Sequence, residues 1–205
     1  MTTEQQNPTT PTRLVGKKAP EWQTDALVGT EFKTLSSQDF KGKWKVLFFY
    51  PLDFTFVCPT EIVAFDEAFA KFQELNCDVL GCSVDSKFSH LAWTKIPLVQ
   101  GGIGELKIPL LADVTKKIAT DFGVLLEDGM ALRGLFIIDE NDIVQHSTIN
   151  NLSVGRNVDE ILRLVEAFQY AQKYREVCPA GWSRGKEAMK PDPKGSQSWF
   201  AKHAK

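Results

Sequence analysis

Cys58 stands in the segment Pro51-Leu52-Asp53-Phe54-Thr55-Phe56-Val57-Cys58-Pro59-Thr60-Glu61, and its neighbours decide what its sulfur can do. An apolar, strand-like run from Trp44 to Tyr50 feeds into the segment, and Ile62, Phe65, Phe69 and Phe72 follow at helical spacing. This pattern predicts a cysteine in the first turn of a helix, where backbone amides lack intrahelical partners. Those donors and the helix dipole favour an anion, and so favour thiolate over thiol. Pro59 agrees, because proline is well tolerated at a helix start. Cys58 is therefore read as a reactive thiolate at the top of a sheet.

The P-x-x-x-T-x-x-C pattern resembles the peroxidatic-cysteine motif of the peroxiredoxins, thiol peroxidases with a thioredoxin-like fold. Glu176-Val177-Cys178-Pro179-Ala180-Gly181-Trp182 is similar to the resolving-cysteine segment of their typical two-cysteine branch. Arg133-Gly134-Leu135-Phe136-Ile137-Ile138-Asp139, Val154-Gly155-Arg156 and Asp159-Glu160 match in the same order. The resemblance covers nearly the whole chain, residues 13 to 200. It implies that hydrogen peroxide or a small alkyl hydroperoxide oxidises Cys58 to a sulfenic acid. It further implies that Cys178 of a partner subunit condenses with that group. A thioredoxin or a dedicated flavoprotein-linked reductase would reopen the disulfide, and antiparallel homodimers would assemble into a decamer.

Thiolate alone is not enough for catalysis. A free cysteine is roughly 3% ionised at neutral pH, so full ionisation gains only about thirtyfold. Enzymes commonly accelerate reactions about a millionfold or more. The remainder must come from donors that stabilise charge as an O–O bond breaks. Thr55 can offer its hydroxyl, and the amides of Val57 and Cys58 can donate. The resemblance nominates Arg133 as the cation bridging thiolate and peroxide, Glu61 and Arg156 as the residues that hold it, and Pro51 as a cover. It also marks Gly101-Gly102-Ile103-Gly104 as a segment associated with slow local unfolding and over-oxidation. Trp199-Phe200 stands where the family pairs that trait with Tyr-Phe in a C-terminal helix. Tryptophan lacks tyrosine's hydroxyl, so the clamp differs in chemistry, and intermediate to high sensitivity to over-oxidation is expected.

The elements that must position these groups alternate between strand and helix signals, which predicts an α/β domain with a central mixed sheet flanked by helices. A hairpin is expected around Val28-Gly29-Thr30-Glu31, and strands over Val46–Tyr50, Asp78–Val84 and Ile143–Ile149. Ser86 should cap a short helix containing Leu91 and Trp93, and another helix should cover Thr115–Phe122, stopped by Gly123. Asp128-Gly129 suggests a turn joining Val124–Leu126 to Ala131–Ile138. Asn157 should begin the last core helix, with Val158, Ile161, Leu162, Val165 and Phe168 as its apolar face. The expected division is a disordered leader over 1–12, a peroxidase domain over 13–172 and an arm over 173–205 carrying Cys178.

Composition sets the remaining bounds. The 205 residues are 43% hydrophobic and 24% charged, with a net charge of −2. That balance gives no reason to expect nucleic acid or an anionic membrane as partner. The leader lacks the apolar stretch of a secretory signal, and no later run is long enough to span a bilayer. A reducing, cytoplasmic setting is expected, where a disulfide is more often catalytic than structural. Cys77 and Cys82 are expected to pack as small apolar residues. The three histidines are scattered, and no metal, flavin or haem motif is present, so no cofactor is expected. Two other readings stay open: a holdase or redox relay, and a non-catalytic structural protein of the same fold.

Overall fold

The computed structural model describes residues 13–203, so the expected leader lies outside the described residues. The chain divides after Arg156 into two compact units.

The first unit is built on a seven-stranded sheet in the order β2-β1-β5-β4-β3-β6-β7. Its centre is β3 (Trp44–Phe49), buried at every position. β3 runs parallel to β4 (Cys77–Ser83) and antiparallel to β6 (Arg133–Ile138). Side chains alternate between the two faces of a strand, and both faces of β3 are covered. On one face Phe48 stacks on Phe65 with ring centroids 4.3 Å apart. Phe65 belongs to α1 (Cys58–Glu67) and meets Phe72 of α2 (Phe69–Glu74). On the other face Leu47 and Phe49 join Leu80, Cys82, Leu111, Phe122 and Phe136 in one cluster. Each such side chain contributes about 1.5–3 kcal/mol by leaving water.

Around this centre, β1 (Gln23–Val28) and β2 (Glu31–Ser36) form the expected hairpin, with Val28 opposite Glu31. The short β5 (Leu110–Ala112) joins β4 in parallel and β1 antiparallel. β7 (Val144–Asn150) pairs with β6 and lies at one edge of the sheet. Ser86 caps α3 (Lys87–Thr94) by accepting the Ser89 amide at 3.2 Å.

Three local expectations are adjusted. The helical run after Cys58 breaks at Ala68, whose ψ of 0° ends α1 before α2 begins. The helix expected over 115–122 is the shorter α4 (Lys117–Asp121). Lys116 is left-handed at φ 62°, and the Asp113 carboxylate accepts the Ile118 and Ala119 amides from outside the helix. The Asp128-Gly129 turn exists, but its arms meet only in an isolated Leu125–Ala131 bridge, and β6 starts at Arg133.

The second unit opens with α5 (Val158–Tyr174), capped by Asn157, whose side chain accepts the Glu160 amide at 3.2 Å. A backbone bridge between Val177 and Met189 then sets the loop that carries Cys178. The unit ends in α6 (Pro193–His203), where Asp192 accepts the Lys194 and Gly195 amides. No helix of the described residues is long and apolar enough to cross a membrane.

Candidate active site

Cys58 is the first residue of α1 and is fully buried. The loop 51–57 delivers it there from the end of β3. Arg133 begins β6, the strand hydrogen-bonded to β3 on that side, so its side chain reaches the same end of the sheet. Its Nη1 lies 3.4 Å from the Cys58 sulfur and 2.6 Å from Glu61 Oε2. Its Nε donates to the Leu152 carbonyl at 2.7 Å, which fixes the plane of the guanidinium.

Glu61 is one helical turn beyond Cys58, and its carboxylate bridges two cations. Oε1 accepts the backbone amide of Arg156 at 2.8 Å and the Arg156 Nε at 2.7 Å. Arg156 also donates to the Gly134 carbonyl at 2.6 Å, and its guanidinium lies over the Phe48 ring. All three side chains are at most 4% exposed. Burial pulls the Arg156 guanidinium below its ordinary range, and the contact with Glu61 pushes back. Arg156 Nη2 is buried with no hydrogen-bond partner among the described residues. Gly155 packs closely here: a Cβ would come within 3.3 Å of the Val57 side chain and 3.4 Å of Glu61, each of which would have to shift by a few tenths of an ångström. Two guanidinium groups around one carboxylate leave a net positive charge beside the sulfur.

Pro51 is buried at the start of the loop, and the Thr55 hydroxyl donates to the Leu52 carbonyl at 2.8 Å. The structure thus brings Cys58, Glu61, Arg133 and Arg156 into direct contact, and places Pro51 and Thr55 on the connecting loop. Cys178 has its own setting in the second unit. It is partly exposed, and its thiol lies 3.5 Å from the Ala167 carbonyl. Burial pushes that thiol up, Arg163 draws it down, and Glu176 raises it again. Cys77 and Cys82 are buried, and burial raises both thiols well out of the reactive range, in keeping with packing roles. Gly102 is buried against the bend that follows α3: a Cβ would fall 1.8 Å from the Ile96 carbonyl oxygen. In α6, Trp199 stacks on His203 at 4.2 Å and meets Phe200 edge-on, while Phe200 is half exposed.

One cluster escaped the sequence reading. Asp53, in the loop before Cys58, is 6% exposed and bonded to Tyr50 and His90. His90 is distant along the chain from Tyr50 and Asp53, and no spacing rule links it to them.

Comparison with known proteins identifies the family. Residues 15–147 match the AhpC/TSA family, and residues 167–202 match the C-terminal domain of 1-Cys peroxiredoxin. Peroxiredoxin-2 of Bos taurus is 59% identical over 190 residues, covering 92% of this chain and 96% of the relative. The chloroplastic 2-Cys peroxiredoxin of Hordeum vulgare is 57% identical over 92% of this chain and 90% of its own length. The reduced 2-Cys peroxiredoxin of Plasmodium vivax superposes with a TM-score of 0.91 at 50% identity, covering 93% of this chain and all of that one. The chain belongs to the AhpC/TSA family, the peroxiredoxins, and is a thiol peroxidase with the thioredoxin-like fold expected of it.

Proposed function

We propose that Cys58 is the peroxidatic residue of a two-cysteine cycle acting on hydrogen peroxide and small alkyl hydroperoxides. The observation that carries this reading is the Arg133 Nη1 contact with the Cys58 sulfur, backed by Glu61 on the same nitrogen. The thiolate attacks the terminal peroxide oxygen, an S–O bond forms and the O–O bond breaks. The departing hydroxide or alkoxide takes up a proton and leaves as water or alcohol. Arg133 spans the nucleophile and the oxygens on which charge develops, the first-turn amides and a Thr55 hydroxyl turned from the Leu52 carbonyl supply further donors, and Pro51 shields the pocket. Glu61 and Arg156 keep Arg133 in place.

The sulfenic acid left on Cys58 is then attacked by the thiolate of Cys178 from a second copy of the chain, forming a disulfide and releasing water. Cys58 is fully buried, so the first turn of α1 must unwind before another sulfur can reach it. An external dithiol protein, a thioredoxin or a flavoprotein-linked reductase, restores both thiols. The edge position of β7 supports pairing with a second copy there, since an edge strand offers unpaired backbone groups. Dimers assembling into a decamer, in the reducing cytoplasm, complete the reading. The glycines 101, 102 and 104 and the Trp199-Phe200 helix would set how long the sulfenic acid persists.

Non-reducing mass analysis of wild type, Cys58→Ser and Cys178→Ser after one equivalent of hydrogen peroxide tests the cycle. A covalent dimer in wild type alone, with sulfenic acid trapped at Cys58 in Cys178→Ser, is expected. Unoxidised Cys58 in a wild type that stays monomeric would falsify the assignment.

A further inference from the structure

Asp53 lies in the loop that carries Pro51 and Thr55 toward Cys58, and it is tied down at three points. Its Oδ1 accepts the Tyr50 hydroxyl at 2.9 Å, and its Oδ2 faces His90 Nδ1 at 2.8 Å. Its backbone amide donates to Asp85 Oδ2 at 2.8 Å, an oxygen that also accepts the Ser83 hydroxyl. The other ring nitrogen of His90, Nε2, lies 3.3 Å from the Leu111 carbonyl oxygen. Both nitrogens therefore face acceptors. The His90 and Asp53 side chains are 0% and 1% exposed. A hydrogen-bonded polar pair so deeply buried holds its geometry tightly, because separating it would strand both groups away from water.

The residue after Asp53 shows what this anchoring sustains. Phe54 has φ 56°, a left-handed conformation uncommon for a bulky side chain. Such strain persists only where the surroundings over-determine it. The Phe54 ring packs on Trp93, with centroids 5.7 Å apart. His90 and Trp93 are three residues apart on α3, so one face of that helix grips both Asp53 and Phe54. Trp93 Nε1 in turn donates to the Gly101 carbonyl at 2.9 Å, which ties the glycine-rich segment to the same helix face.

We propose that Asp53 and His90 are positioning residues for the peroxidase reaction: their buried pair pins residues 51–57 to α3 and so holds Pro51 and Thr55 at the peroxide site. The inference rests on the roles assigned above to Cys58, Thr55 and Pro51. Neither Asp53 nor His90 touches the sulfur. They act through the loop, so they should matter for a reaction that needs the loop's donors and much less for one that needs only the thiolate.

The test measures rate constants of the full-length reduced protein with hydrogen peroxide and, in parallel, with iodoacetamide. Wild type, Asp53→Asn, His90→Gln and Tyr50→Phe are compared. Asp53→Asn and His90→Gln should lose about 10- to 100-fold with peroxide, as expected for a small misplacement of reacting groups, while alkylation changes less than about threefold. Tyr50→Phe, which removes one anchor of three, should show a smaller loss of the same selectivity. Folded Asp53→Asn or His90→Gln protein that keeps its peroxide rate within about twofold of wild type overturns the proposal. If neither variant folds, an unchanged peroxide-to-alkylation ratio in Tyr50→Phe overturns it instead. A wild type inert to peroxide would instead overturn the assignment of Cys58, so the two failures are distinguishable.

Discussion

At the scale of single residues, Glu61 explains why two arginines can be buried beside a sulfur. Its two oxygens bind Arg133 and Arg156 at 2.6 Å and 2.7 Å and offset part of their charge. Glu61→Gln keeps the shape and removes the charge, leaving two buried cations facing each other. Breaking a buried ion pair from one side costs about 3–5 kcal/mol, so chemical denaturation should show a loss of that order. The peroxide rate constant should fall as well, because Arg133 loses the group that aims it. Cys178 supports a second prediction, in the opposite unit. Its thiol is raised by burial, so its thiolate fraction, and with it the rate of disulfide formation, should keep climbing with pH beyond the ordinary cysteine range. Glu176→Gln removes a charge that adds to the rise. The expected gain in resolution rate at pH 7 is about 1.5- to 2-fold, since a more acidic thiol is also a weaker nucleophile. Stopped-flow fluorescence after a peroxide pulse reads both effects, and a pH-independent rate would refute the first.

At the scale of elements, the start of α1 has two opposed tasks. It must hold Cys58 buried for the attack on peroxide, and it must open for the second sulfur. The balance between them involves the segment after α3, because Trp93 joins Phe54 of the active-site loop to Gly101. Gly102 is the tightest point of that segment. Gly102→Ala would drive a methyl group into the Ile96 carbonyl, where no flexible side chain can yield. Overpacking of this kind costs about 1–3 kcal/mol. Hydrogen exchange should show faster opening of residues 96–104, and the loosened site should resolve its sulfenic acid sooner. Less sulfinic acid at Cys58 after turnover in excess peroxide is expected by mass spectrometry. An increase would sever the link between this segment and over-oxidation.

At the scale of the whole molecule, the sheet determines where a second copy can dock. β7 ends the strand order next to β6, and its residues are only partly buried beyond Val144. Ile149 on that strand is 47% exposed, a large apolar side chain with little reason to face water permanently. On the proposed pairing along β7, Ile149→Glu should weaken the dimer by placing like charges across the two edges while barely changing the fold of the isolated chain. Sedimentation velocity would show the shift to monomer, and the intersubunit disulfide should form more slowly in step. An undisturbed dimer would place the interface elsewhere.

Short-range rules were sufficient for much of this protein. The buried strand Trp44–Phe49, the helix beginning at Cys58 and the caps Ser86 and Asn157 all follow from apolar spacing and local hydrogen-bonding chemistry, which act within a few residues. Cys58 was legible for the same reason, because its environment is its own helix terminus. Arg133 was not distinguishable from other arginines except through a family motif, since only the pairing of β6 with β3 brings it to the sulfur. The shortened α4 depends on a contact from outside the helix, the Asp113 carboxylate. The Asp53–His90 pair is the clearest case. Its members are separated by the whole of β4, and their hydrogen bond becomes strong only once folding has excluded water from around it. Periodicity and capping are local and therefore written in the chain, whereas burial, and every electrostatic effect that burial amplifies, exists only after the sheet has assembled.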